Sequence, residues 1–229
     1  VITVADITAG NWVFTPVAGA NGTGYASFTF SVRDSNNTYD AAPNTLTVNV
    51  TAANDAPTDL ALSANTVAEN AANGTSIGTV SGTDPDSGDT QSYSLTDTAG
   101  GRFAIDSSTG EITVANGTLL NYEAAASHSV TVRVTDSGGL TYDETFTVNL
   151  TNVNESPTGA DATVTINEDG SHTMTAANFG FSDVDAGDSL SAVRIDTLPG
   201  AGSLTLSGVA VTAGQVISLA DITARNWVS

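Results

Sequence analysis

The chain has 229 residues, 40% of them hydrophobic and 13% charged, and Asp and Glu outnumber the basic residues 25 to 5. A net charge of −20 repels nucleic-acid phosphates and anionic membranes and favours cations or neutral partners. The absence of Cys excludes disulfides, thiolate metal sites and Cys nucleophiles, and no apolar run approaches the roughly 20 residues of a membrane helix.

The opening phrase VITVADITAGNWVF (1–14) returns as VISLADITARNWVS (216–229), with 10 of 14 positions identical at an offset of 215 residues. Such self-similarity indicates a repeat architecture. Both copies read as strands, with Trp12 and Trp227 beside Ile and Val as core residues. Next, SFTFSVRDS (27–35) alternates with a period of two, placing Phe28, Phe30 and Val32 on one face; NTLTVNVT (44–51) does the same with Leu46, Val48 and Val50. SVTVRVTDS (129–137) and ETFTVNLT (144–151) repeat this pair, and the exits TAANDAPT (51–58) and TNVNESPT (151–158) match. Asn-Gly pairs beginning at 21, 73 and 116 read as turns. Alternating strands and regular turn signals predict an all-β chain of tandem Greek-key β-sandwiches arranged end to end. Repeated starts at Val67 and Ile166 divide it into three: residues 1–55 as the C-terminal part of a module, 56–155 as a complete module, and 156–229 as the N-terminal part of another.

The acids gather at strand ends and turns. TDPDSGDT (83–90) and SDVDAGDS (182–189) share the pattern D-x-D-x-G-D. Clustered carboxylates without Lys repel one another unless a cation or protons intervene. Oxygen ligands without His or Cys favour calcium over zinc or copper. The competing reading is a set of solvated turns, since Asp, Asn and Gly are ordinary turn formers. An EF-hand is excluded, because its twelfth position would be Leu95 instead of Glu.

Residues 56–157 resemble a cadherin-type repeat of large bacterial surface adhesins, through VAEN, GTDPDSGD, GRFAIDSSTGEITVANGTLLNYE, VTVRVTDSGG and NVNESP. The flanks are similar to the two halves of a cadherin-like module of RTX- or VCBS-type adhesins, through INEDG, D-x-D-x-G-D, ISLADIT and FSVRDS. The resemblance implies calcium at the joints between modules. At the later joint it assigns Glu69, Glu123, Asn154, Glu155, Asp183 and Asp185; at the earlier one Asn54, Asp55, Asp84, Asp86 and Asp136. Asp34 and Glu168 occupy matching places in the flanking segments. Ala52 or Asn152 replaces the first linker acid, Ala56 or Ser156 the last linker amide, and LNYE lacks an Asp, so the implied ion count is one to three per joint.

The expected function is a calcium-rigidified spacer of a secreted, cell-surface adhesin or extracellular filament. Its partners are neighbouring copies or repeats of itself, with surface polysaccharide or another cell surface beyond them. The repeated ends predict that residues 1–55 of one copy complete the module begun by 156–229 of another, bringing Asp34, the match of Asp136, to Asp183 and Asp185. The alternative is a carbohydrate-binding module stacking on Trp12, Trp227 or Tyr. No enzyme is expected: the acids repeat at matching offsets, and His128 and His172 have no partner pattern.

Overall fold

The computed structural model describes residues 1–224 and the backbone of 227–228. In chain order the elements are α1 (Val4–Thr8), β1 (Gly22–Phe30), β2 (Asn44–Val50), β3 (Asp59–Leu62), β4 (Thr66–Ala68), β5 (Ser76–Thr83), β6 (Ser92–Asp97), β7 (Phe103–Ile105), β8 (Glu111–Val114), β9 (Ser127–Thr135) and β10 (Thr141–Thr151). They continue with β11 (Ala192–Arg194), β12 (Thr205–Leu206), β13 (Val209–Ala210), β14 (Val216–Ser218), α2 (Leu219–Thr223) and β15 (Trp227–Val228). The architecture is an all-β sandwich. By contacts the chain forms two compact units: residues 1–65, 74–115 and 129–147, and residues 66–73, 116–128 and 148–229.

In the first unit β1 and β2 form an antiparallel hairpin with Phe28 opposite Leu46. β3, β5, β8 and β7 form a second antiparallel sheet in that order. β6 pairs with β9, Tyr93 opposite Val134 and Leu95 opposite Val132. Period-two alternation decides what is buried: Val130, Val132 and Val134 on β9 are fully enclosed, with Ile112 and Val114 of β8, Phe103 of β7 and Val80 of β5. Each such side chain stabilises the fold by about 1.5–3 kcal/mol through burial. The turn into β8 needs Gly110, at φ +72°, because a Cβ there would collide with the Val80 carbonyl oxygen.

In the second unit the end of β10 pairs in parallel with β4, Leu150 opposite Val67. A short 3₁₀ turn, Gly117–Leu119, buries the neighbouring Leu120 and is capped by the Asn116 side chain. Further along, β11 pairs with β14, and β12 pairs with β13 and β15. A small core of Val211, Ile217 and Ile222 gathers Met174, Phe179, Val193, Ile195, Leu204 and Leu206 around it.

The repeated phrase departs from the strand expected. Its ADIT core is a one-turn helix in both copies, because Thr3 and Ser218 act as N-caps and each accepts the backbone N–H of the Asp three residues on. Strand is confined to Val216–Ser218 before the helix and Trp227–Val228 after it, both in the second copy. Trp12, expected in a core, is 50% exposed and packs edge-on against Phe28 at 5.5 Å between ring centroids; the side chain of Trp227 lies outside the described residues. β1 also ends at Phe30, so Val32 falls beyond the strand and is exposed.

Candidate metal centres

The two D-x-D-x-G-D phrases fold into the same turn. Asp84 Oδ1 accepts the Asp86 N–H at 2.8 Å, and Asp183 Oδ1 accepts the Asp185 N–H at 3.0 Å. The Asp89 and Asp188 N–H groups return to the carbonyls of Asp86 and Asp185, both at 3.2 Å. Gly88 and Gly187, at φ +87° and +104°, supply the left-handed backbone that these turns require. Each turn is tied to the chain segment before it: the Asp55 N–H donates to Asp86 Oδ2 at 2.7 Å, and the Glu155 N–H donates to Asp185 Oδ2 at 2.8 Å. The Thr58 and Thr158 N–H groups then bond the carbonyls of Thr83 and Ser182.

These frames bring carboxylates together. Asp84, Asp89 and Asp136 form one cluster in the first unit; Glu69, Glu123 and Glu155 form a second and Asp183, Asp185 and Asp188 a third, both in the second unit. In each cluster the candidate ligand oxygens lie within 4.8 Å of one another. Backbone donors fix the most buried acids. Glu69, 1% exposed, accepts from the N–H groups of Tyr122 at 2.7 Å and Val153 at 2.9 Å. Asp136, 6% exposed, accepts from the Leu140 N–H at 2.7 Å and from Asn54 Nδ2 at 2.8 Å.

Other oxygens are left over. Asp84 Oδ2, Glu155 Oε2 and Asp185 Oδ1 are buried and have no hydrogen-bond partner, and one belongs to each cluster. Burying a polar atom without a partner costs free energy, and an anionic one costs more. Burial raises the pKa of Glu155 above the ordinary carboxylate value, and repulsion from Glu69, Asp185 and Glu123 adds to the shift, against the opposing hydrogen bond from Asn70. The two ion pairs among the described residues, Arg133 with Asp143 and Arg194 with Asp196, involve none of these acids. Hard oxygen donors in excess over positive charge fit calcium.

Of the residues expected from the sequence, Glu69, Glu123, Glu155, Asp84, Asp136, Asp183 and Asp185 lie in clusters. Asp55 and Asp86 build the frame of the first, and Asn54 anchors Asp136. Asn154 bonds the Glu155 carbonyl, as Asn54 bonds that of Asp55. Asp34 and Glu168 join no cluster among the described residues. The Asp34 carboxylate is engaged locally, accepting the N–H groups of Asn36 and Thr38, both at 2.8 Å. Asp89 and Asp188 are additions to the expected ligand set. Their signal was the final acid of D-x-D-x-G-D, which the turn folds back toward the first.

A family model for the cadherin domain matches residues 64–151. Over this segment the chain is similar to a cadherin domain. Cadherin domains are extracellular adhesion modules, structural in role, and typically bind calcium. Among solved structures, the chain is similar to mouse cadherin-23 EC22-24, at 24% identity and a TM-score of 0.55, covering 84% of this chain and 63% of that one. It also matches the human desmocollin-1 ectodomain, at 25% identity and a TM-score of 0.42, covering 59% of this chain and 28% of that one. Human protocadherin-24 EC1-2 matches at 22% identity and a TM-score of 0.41, covering 48% and 50%. The chain thus spans between about a quarter and two thirds of these cadherin structures. No curated protein sequence matches it. Among the described residues no helix is long and apolar enough to cross a membrane.

Proposed function

We propose that this chain is a calcium-rigidified spacer of a secreted, cell-surface adhesion protein or extracellular filament of the bacterial adhesin type. The observation that carries this reading is the buried, partnerless carboxylate oxygen in each acidic cluster. Calcium would supply the missing positive charge, held at the earlier joint by Asp84, Asp89 and Asp136 and at the later by Glu69, Glu123, Glu155, Asp183, Asp185 and Asp188. Asn54, Asp55, Asp86 and Asn154 would position these ligands through the hydrogen bonds described. Asp34 and Glu168 would serve as ligands only at joints with further modules. We take residues 56–155 as one whole module and residues 156–229 and 1–55 as front and back parts of another kind, so that successive repeats build a stiff rod.

A ligand that binds only the native state stabilises it by mass action. The melting temperature should therefore be higher in calcium than in chelator, and small-angle scattering should show a narrower range of shapes. Identical curves in the two conditions would overturn the reading.

Exposure of Trp12 favours a second reading, carbohydrate binding, because Tyr39 lines the same groove. Saturable quenching of tryptophan fluorescence by a surface polysaccharide would support it; an unchanged spectrum would reject it.

A further inference from the structure

Two neighbouring glycines in the turn between β9 and β10 are there for different reasons. Gly139 sits at φ +88°, in the left-handed region, with no atom within 4 Å of the place a Cβ would take. Its need is conformational. Gly138 lies outside the left-handed region, but a Cβ there would stand 2.5 Å from Cγ and Nδ2 and 2.6 Å from Oδ1 of Asn54. Its need is space. The turn itself does not require glycine at that place, because the chain makes the same turn elsewhere with a side chain there. In residues 34–38 the Asp34 N–H donates to the Thr38 carbonyl, the Asn37 N–H donates to the Asp34 carbonyl, and Asp34 Oδ1 accepts the Thr38 N–H. In residues 136–140 Asp136, Gly139 and Leu140 repeat these three bonds. Asn37, at φ +65°, stands where Gly139 does, and Asn36 stands where Gly138 does.

We propose that Gly138 is a positioning residue for the cluster of Asp84, Asp89 and Asp136: its bare α-carbon seats the Asn54 carboxamide, which holds Asp136 in place. This rests on the reading of that cluster as a calcium site. From the seat, Asn54 Nδ2 donates to Asp136 Oδ2 at 2.8 Å and to the Asp55 carbonyl at 3.4 Å. The Asp55 N–H bonds Asp86 Oδ2, and the Ser137 N–H donates to Asp89 Oδ2 at 3.3 Å. Residues 136–138 thus supply one acid of the cluster, steady a second through a peptide N–H, and seat the side chain that aligns the first. The Leu140 N–H holds Asp136 Oδ1, so Asn54 completes the fixing of a buried carboxylate. Hydrogen bonds to an ionised acceptor are among the stronger ones, and losing this one frees the carboxylate to turn. A Cβ at position 138 would displace a carboxamide that swings on two rotatable bonds, with no backbone in its way. Gly138→Ala should therefore release Asp136 Oδ2 and leave the sandwich folded.

Calcium titration of the 229-residue chain by calorimetry tests this, with Gly138→Ala, Asn54→Ala and the two together. Gly138→Ala should weaken binding at this cluster about tenfold, the worth of a hydrogen bond to a charged group, with circular dichroism unchanged. The double variant should bind as Asn54→Ala alone does, since an alanine at 54 has no carboxamide to crowd. A glycine needed only for the fold would instead add its loss to that of Asn54→Ala. A second readout needs no calcium. In chelator, the Asn54 side-chain amide protons should move upfield in Gly138→Ala, as they leave a carboxylate acceptor. An unshifted resonance overturns the proposal. So does an unchanged affinity in Gly138→Ala, or additive losses in the double variant, when the wild type binds calcium. If Gly138→Ala fails to fold, recovery of the fold by Asn54→Ala supports the seat, and a double variant that stays unfolded overturns it. If the resonance moves and the wild type itself binds no calcium, the seat stands and the calcium reading fails.

Discussion

At residues 54–58 and again at 154–158 the chain makes the same bonds to a D-x-D-x-G-D turn, and around these matching frames it gathers different acids. The earlier site uses Asp136, whose two oxygens are occupied by the Leu140 N–H and by Asn54. The later site uses Glu69, occupied by the Tyr122 and Val153 N–H groups, and adds Glu123 and Glu155. Peptide and amide donors thus occupy both oxygens of one acid at each site; the remaining carboxylates, from the turn and, at the later site, from Glu123 and Glu155, are crowded without an ion pair among the described residues. The later site gathers more carboxylates, and the pKa of Glu155 there is raised, first by burial and then by repulsion from Glu69, Asp185 and Glu123. Positioning comes from the backbone; the demand for a cation comes from the side chains.

Removing the fixed acid should have the largest effect. Glu69→Ala leaves two amides without their acceptor and should cost about 2–4 kcal/mol in chelator. Hydrogen exchange should quicken at Tyr122 and Val153. In Glu123→Ala, chelator stability should change little and calcium affinity should fall. Equal losses of chelator stability in the two variants would break the division between acids fixed by the backbone and acids that are not.

Glu155→Gln should change sign with calcium: stabilising in chelator, by removing the charge repelled by Glu69, Asp185 and Glu123, and destabilising in calcium, by removing a ligand. The pH dependence follows from the raised pKa. An acid raised in the folded state costs stability while ionised, and that cost disappears as pH falls through its folded pKa. Asp89, lowered chiefly by hydrogen bonding to Ser137, runs the other way; its contribution is present above the ordinary carboxylate value and lost as pH falls through its lower folded value. In chelator the wild type should therefore gain stability just above the ordinary carboxylate range, and Glu155→Gln should lack that gain. Melting curves at stepped pH measure both.

Losses smaller than that of Glu69→Ala come from the shared frame. Asp86→Ala and Asp185→Ala each remove one acceptor of a linker N–H, worth about 1–2 kcal/mol. Each should weaken calcium binding at its own site and leave the other unchanged in calorimetry. A matching loss at both sites from one substitution would show that they are not independent.

Much of this was legible in the residues. Alternation located β2, β9 and β10 because a half-buried strand needs a period of two, and D-x-D-x-G-D located two of the three clusters because its turn is local. The ADIT phrase misled, since its apolar residues suit a strand while the cap three residues before Asp6 or Asp221 selects a helix. Trp12 misled because the isoleucines of its phrase are buried in one copy and exposed in the other; local sequence does not encode what lies opposite. Asp34 matched Asp136 in pattern, yet its carboxylate closes its own turn. The partnerless oxygens were invisible in the sequence, because they depend on contacts between distant segments.

The central claim is that each acidic cluster holds calcium through the oxygen the protein leaves unpaired. The direct measurement is anomalous diffraction from crystals grown in calcium. The account predicts ions at about 2.3–2.6 Å from Asp84 Oδ2, Glu155 Oε2 and Asp185 Oδ1. Calcium-saturated crystals in which those three oxygens meet only water or protein donors would contradict it.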